Sequence, residues 1–540
     1  MMRNSLVIRD ADIIDGTGSP RRRGDILVVD GRIVALGGSY EAPLGGLVVN
    51  ASGLVACPGF IDMHAHSDLA VLYDREHLAK TTQGVTVEVL GQDGISYAPT
   101  NDITMPAIRS QIAGWNGENP SGVDFSWRSI ADYLELVDRG CAVNVAYLIP
   151  HGTVRMAVVG QENRALGHGD IANMRRIVAQ GMREGAFGMS AGLSYVPGMF
   201  ADTHELVRLC EVVTAYGGYF SPHQRSYGHG ALEGYAEMIN IARLSGCPVH
   251  LTHATMNFPV NRGRAGEFLS LVDDALAGGI DVSLDSYPYL PGSTTLAALL
   301  PSWVSAGGHD AALSRLADAT TRARIQYDLE VAGSDGCHGV PADWGTIEIS
   351  GVGNHDLDNM VGRTIAQIAV VNKREPIEVF FDTVIRDKFA TTIIQHVGDE
   401  SNVRAIIQHR THMVGSDGLL AGAKPHPRAW GTFPRFLARY VREEGVLELE
   451  EAVTHLTSRP ARRLGLTDRG VLREGSIGDL VLFDPDTIAD RATFDQPRRP
   501  AIGIPWVFIA GQAVIADSVR TDATPGRALR GSRAQPSENC

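Results

Sequence analysis

From Ser5 to Ala56 apolar and polar positions alternate in short runs, LVIRDADIID and then DILVVDGRIVALG, with turns at Asp15-Gly16 and Asp30-Gly31. Period-two alternation between such turns predicts antiparallel strands. The same texture returns in GDLVLFDP and WVFIAGQAVIAD near the other end, so both termini are expected to build one small β-sandwich, from residues 1–57 and 468–530. Between them the pattern changes. Eight short apolar segments recur, each followed by helical periodicity: FIDMHAH, VTVEVLG (85–91), VNVAYLIP (143–150), AFGMS (186–190), YFSPH (219–223), PVHLTH (248–253), DVSLD (281–285) and HMVGSD (412–417). Helices are predicted at Ser129 to Arg139, Ile171 to Arg183, Thr203 to Tyr216 and Glu450 to Leu464. Eight β/α alternations predict a (β/α)8 TIM-type barrel over 58–467, with an open doubly wound sheet as the alternative. Residues 290–350 are too long for a plain connection and read as an excursion over the barrel mouth. Residues 531–540 read as a disordered tail.

Composition narrows the function classes. A chain of 540 residues with 44% hydrophobic and 20% charged positions suits a soluble globular protein with a large core. A net charge of −14 argues against nucleic acid as a partner, because phosphate binding needs a basic face. Six cysteines without CxxC spacing read as reduced core thiols. No apolar run has transmembrane length, and Met1 to Asp10 lacks a signal-peptide core, so no membrane partner and a cytoplasmic location are expected. Only Lys80, Lys373, Lys388 and Lys424 are lysines. Nothing in the sequence sets the oligomeric state.

Candidate chemistry falls at the predicted strand ends, where a barrel places its active site. His64 and His66 close the first segment, two residues apart, so strand alternation turns both imidazoles the same way. His223 closes the fifth segment, His253 the sixth and Asp417 the eighth. Four histidines and a carboxylate converging at one mouth offer nitrogen and oxygen ligands to a divalent metal. A second GSDG string, at Gly333 to Gly336, has no apolar strand before it and is set aside.

These positions, with PGFIDMHAHSD, HGTVR (151–155), GLSYVPGMFADTHEL (192–206), SPHQR, DSYPYLPGST (285–294) and GSDG followed by HPRAWGTFPR (426–435), resemble the amidohydrolase superfamily and within it the D-aminoacylase (N-acyl-D-amino-acid deacylase) family. The resemblance covers nearly the whole chain. It departs from the family at two places. The family's Gly-Asn-Cys-Gly turn after the second strand is Gly91-Gln92-Asp93-Gly94 here, so Asp93 stands where the family has its cysteine ligand, with Glu88 as a rival. A lysine of the family near the sixth-strand histidine is replaced in Thr252-His253-Ala254-Thr255, which removes a cation from the pocket and points to neutral or apolar substrate side chains. No lysine closes AFGMSAGLSYVPG, which counts against the carbamylated-lysine bridge of cyclic-amide hydrolases.

The resemblance implies hydrolysis of an N-acyl-D-amino acid to a carboxylate and a D-amino acid. One or two Zn²⁺ ions would be held by Asp93, His223 and His253, with His64, His66 and Asp417 lining a neighbouring site. Asp417 would serve as base and then acid. Arg428 would pair with the substrate α-carboxylate, helped by the hydroxyls of Tyr287 and Ser293. His151 and Arg225 also match family motifs, either as substrate contacts or as supports behind them. Two other readings stay open: a hydrolase of cyclic amides or D-dipeptides, and a non-catalytic scaffold that kept the fold.

Overall fold

Strands covered by helices on both faces of a parallel sheet must be apolar throughout, and the barrel segments meet that condition. In the computed structural model, which describes residues 5–117, 120 and 122–531, they form β1 (Phe60–Asp62), β2 (Val85–Leu90), β3 (Asn144–Tyr147, continued by Ile149–Pro150), β4 (Gly188–Gly192), β5 (Tyr219–His223), β6 (Val249–Leu251), β7 (Val282–Ser286) and β8 (His412–Val414). Every residue of these strands is buried. They pair in parallel in sequence order, β1 to β2 to β3 and β3 through β8. The ring closes between β8 and β1: Met63 N–H donates to Val414 O at 3.2 Å, and Ala65 bridges Gly418 in parallel. The architecture is a (β/α)8 barrel, and the open-sheet alternative is excluded by that closure.

Strands from both termini share one hydrogen-bonded sheet. Val55–Pro58 runs antiparallel to Leu480–Phe483, with Val481 opposite Cys57. The sheet folds back on itself, so Ile8, Ile26 and Ile33 of the N-terminal strands pack with Leu480, Leu482 and Phe508 of the C-terminal ones, as the two faces of a sandwich do. The final described residues leave this sheet. Gly526 bridges Cys141, Ala528 bridges Val145, and Gly531 N–H donates to Gly185 O at 3.0 Å, which ties 526–531 to the barrel. Residues 532–540 of the expected tail lie outside the described residues.

Two expectations change. The excursion between β7 and β8 continues well beyond Ser350. Thr392–Gln395 is the middle strand of an antiparallel sheet, between Gly292–Thr295 and Ile347–Gly351, over a separate core that includes Leu296, Ile325, Ile349 and Phe380. The helix predicted from Glu450 to Leu464 is two, Leu449–Leu456 and Ser458–Arg463, broken at Thr457 (φ −135°, ψ −79°). Pro460 has no N–H to give the carbonyl of Leu456, so one continuous helix cannot form there. The helix at Ile130–Asp138 starts where expected, because Ser129 and Asp132 form a reciprocal capping box.

Candidate metal centre

β1 ends at Asp62 and the chain bends at Met63 and His64, but Ala65 is held between its neighbours: its N–H reaches Val89 O at 3.2 Å on one side while Gly418 bridges it on the other. His64 and His66 still face one point, their Nε2 atoms 3.2 Å apart. His223 closes β5 and His253 follows β6, with His223 Nδ1 3.0 Å from His253 Nε2. Asp93 lies between these pairs. Its Oδ1 is 3.4 Å from His64 Nε2 and 3.4 Å from His253 Nε2, and its Oδ2 is 3.6 Å from both His66 Nε2 and His223 Nδ1. Asp417 completes the set, Oδ1 3.2 Å from His66 Nε2. Two ligand groups result, His64–His66–Asp93–Asp417 and Asp93–His223–His253, with Asp93 common to both.

The spacing suits a metal. Donors at 2.0–2.1 Å around a tetrahedral ion lie about 3.3 Å apart, close to the separations found. Asp93 Oδ1 is buried with no hydrogen-bond partner. A buried acceptor without a donor is costly in a folded protein, and a cation is its natural complement. Zn²⁺ accepts this imidazole and carboxylate set.

Local backbone supports the placement. Asp93 (φ 52°), His253 (φ 32°) and Asp417 (φ 48°) all have positive φ, which non-glycine residues adopt at a cost. The turn holding Asp93 is tight: a Cβ on Gly94 would stand 2.4 Å from Gly192 N. Asp285, at the end of β7, accepts the His253 N–H through Oδ1 at 2.8 Å and contacts His250 Nε2 at 2.8 Å. Ser194 Oγ lies 2.6 Å from His223 Nε2, which fixes the ring so that Nδ1 faces the centre.

Electrostatics within the cluster are strong. Burial alone would raise the Asp93 carboxyl, but His64, His253 and His223 hold it well below the usual range. For Asp417, burial is outweighed by Arg428 and the His66 hydrogen bond, again lowering the carboxyl. Burial pulls the His66 imidazole down, yet hydrogen bonds to Asp417 and Asp93 hold it up at about 10.

Behind the ligands is a second buried network. Lys80 Nζ donates to Asp62 at 2.7 Å and Ser416 Oγ at 2.8 Å, and lies 3.2 Å from Glu88. Asp62 Oδ1 in turn accepts the backbone N–H groups of His64 and Ser416. Glu88, the rival to Asp93, is occupied here: it contacts His77 at 2.7 Å and Ser67 at 2.8 Å and belongs to neither ligand group. Its neighbours on β2 explain this, since side chains along a strand alternate in direction.

The substrate candidates separate. Arg428 is fully buried, with Nη2 2.9 Å from Asp417 Oδ2, its guanidinium 4.4 Å from the Tyr287 ring centroid, and Nε and Nη1 unpaired. Tyr287 and Ser293 line the cavity over the centre, although the Ser293 hydroxyl already donates to Ile393 O at 2.9 Å. Arg428, His151 and Arg225 do not line that cavity. His151 contacts Glu205 at 2.8 Å, which also holds Arg155, and Arg225 is bound twice by Glu237, so both act as supports. Sequence reasoning missed Trp115, Tyr195, Tyr227, Asn257, Gln395 and His338 in the cavity wall. Tyr195 lies in a motif already singled out, GLSYVPG. Gln395 and His338 come from the excursion, which no strand-end argument reaches.

Comparison with known proteins agrees with this geometry. Residues 47–515 match the amidohydrolase family model. The chain is 36% identical to the D-aminoacylase of Alcaligenes xylosoxydans xylosoxydans over 97% of each chain. It is 35% identical to the N-acyl-D-glutamate deacylase of the same organism, covering 97% of this chain and 96% of that one. The crystal structure of N-acyl-D-glutamate deacylase from Bordetella bronchiseptica, complexed with zinc and a phosphonate inhibitor that mimics the tetrahedral intermediate, superposes with a TM-score of 0.82 at 33% identity, covering 97% of this chain and 99% of that one. By these matches the chain belongs to the amidohydrolase family, in the group of the D-aminoacylases.

Proposed function

We propose that this protein is a zinc-dependent hydrolase of the amide bond of N-acyl-D-amino acids, releasing a carboxylate and a D-amino acid. The observation that carries the reading is a carboxylate, Asp93, shared by two ligand groups, one of which includes Asp417, itself paired with a buried arginine that has two unpaired nitrogens. Zn²⁺ held by Asp93, His223 and His253, with His64, His66 and Asp417 able to hold a second ion, would supply a Lewis acid that acidifies water towards a pKa of ~7 and polarises the scissile carbonyl. Asp417, kept ionised by Arg428, accepts the water proton at a carboxylate oxygen and returns it to the leaving amine. Arg428 uses one nitrogen for Asp417 and keeps two for the substrate carboxylate, which fixes the amide against the centre. Preference for the D configuration rests on the relatives named above.

The cavity wall supports a neutral side chain. Thr255 lines it in place of a cation, and burial, with His223 beside it, pushes the His338 imidazole down to about 3, so that ring is uncharged. Trp115, Tyr195, Tyr227 and Phe258 supply apolar surface. A cyclic-amide substrate has less support, since neither ligand group contains a lysine to bridge two ions. The five described cysteines are buried free thiols, which suits the reducing cytoplasm; no helix among the described residues is long and apolar enough to cross a membrane.

The test is a panel of N-acetyl-D-amino acids, their L-enantiomers and hydantoins, compared by kcat/KM. N-acetyl-D-methionine is expected to exceed N-acetyl-D-glutamate. Turnover of hydantoins alone would overturn the reaction class, whereas a preference for glutamate would overturn only the side-chain assignment.

A further inference from the structure

At the other end of the barrel, a cavity of about 390 Å³ opens between β4–β8 and the helix Ser458–Arg463. Tyr219, one of its lining residues, begins β5, the strand whose last residue is His223. At about 3.3 Å per residue the two lie roughly 13 Å apart, so this cavity is separate from the metal centre.

Its lining has two chemistries. Arg410, Arg459, Arg462 and Arg463 bring four guanidinium groups, against one lining carboxylate, Asp281. Three of the arginines have acidic partners: Arg463 with Asp281 at 2.6 Å, Arg410 with Asp273 at 2.8 Å, and Arg459 with Glu451. Arg462 makes no ion pair among the described residues. Two buried polar atoms in the lining have no partner at all, Tyr219 Oη and Arg463 Nε. Tyr219 is 2% exposed and the Arg463 side chain 7%. The guanidinium carbon lies 5.9 Å from the tyrosine ring centroid, over the face of the ring. The rest of the wall is apolar, with Met182, Phe187, Leu276, Met413 and Leu464.

Buried donors left unpaired are costly, and a ligand that accepts from both removes that cost. An oxyanion is the matching acceptor for a guanidinium and a phenol. The apolar wall selects among oxyanions, since a bare phosphate has nothing to place against Phe187 and Leu464. We propose that this cavity is a binding site for an amphipathic carboxylate, its acid group held by Arg463 and Tyr219 and its short hydrocarbon tail lying on the apolar wall. The site stands independently of the hydrolytic reading.

Titration calorimetry of the purified, metal-loaded protein with sodium hexanoate tests this. Saturable binding with a Kd below about 1 mM is expected, with hexan-1-ol failing to saturate over the same range. Tyr219→Phe, which removes a single oxygen, and Arg463→Gln should each weaken hexanoate about tenfold or more, equal to about 1.4 kcal/mol. Absence of saturable binding would overturn the proposal. Equal affinity in wild type and Tyr219→Phe would also overturn it, by placing the carboxylate elsewhere; that variant decides alone if Arg463→Gln does not fold.

Discussion

Lys80→Met removes the ammonium from the barrel closure while keeping most of the side-chain length. Lys80, Asp62 and Glu88 are all at 0% side-chain exposure. The two carboxylates are left unequally served. Glu88 keeps His77 at 2.7 Å and Ser67 at 2.8 Å. Asp62 keeps only two backbone N–H groups, from His64 and Ser416. The stranded charge is therefore that of Asp62. Removing one partner of a buried ion pair costs about 3–5 kcal/mol, a large share of the roughly 5–15 kcal/mol that keeps a typical domain folded. Asp62→Asn added to Lys80→Met neutralises that charge, so the double variant should regain most of the loss. Urea unfolding at neutral pH, followed by tryptophan fluorescence, reads both values. Since Asp62 and Ser416 flank ligands on either side of the closure, zinc retention should fall in the single variant as well. A single variant within about 0.5 kcal/mol of wild type, the range of ordinary surface changes, or a double variant weaker than the single one, would show that Asp62 does not depend on the Lys80 ammonium.

Glu88 is held down at about 2, where burial is outweighed by His77 and Lys80, and His77 is held up at about 9, where burial is outweighed by Glu88. The Glu88 contribution is complete above its unfolded value near 4.5 and lost as pH falls towards 2; the His77 contribution is complete below 6.5 and lost as pH rises through 9. Melting temperature against pH should thus show this pair's support whole between about 4.5 and 6.5, and Glu88→Gln should flatten both limbs; an unchanged profile would count against the pairing. Arg428→Gln removes charge-assisted hydrogen bonds worth about 1.5–3 kcal/mol, so kcat/KM for N-acetyl-D-methionine should fall roughly 10- to 150-fold, mainly through KM. A purely kcat effect would mean that Arg428 serves Asp417 rather than the substrate.

Much of this was legible from the sequence because the barrel writes its plan in one dimension. Strands buried on both faces appear as apolar runs, and ligands appear at their ends, so His64, His66, His223, His253 and Asp417 could be placed from pattern alone. Asp93 needed the resemblance, since an aspartate in a Gly-rich turn is ordinarily a turn residue. What escaped depends on contacts between distant segments. Lys80 lies mid-helix with no local signal, and its role exists only because β1, β2 and β8 meet there. Gln395 and His338 enter the cavity from the excursion, whose sheet pairs residues about a hundred positions apart, as Gly292 with Gln395. His151 and Arg225 matched motifs, but their carboxylate partners, Glu205 and Glu237, were visible only in three dimensions.

Asp93 is common to both ligand groups and so joins them into one metal centre. Elemental analysis of purified wild type and Asp93→Ala, paired with N-acetyl-D-methionine hydrolysis on the same samples, addresses it most directly. Wild type is expected to carry zinc and hydrolyse the substrate, and the variant to lose both. A variant that keeps its zinc and its activity would contradict the account, because the centre would then be held without the carboxylate on which both groups converge.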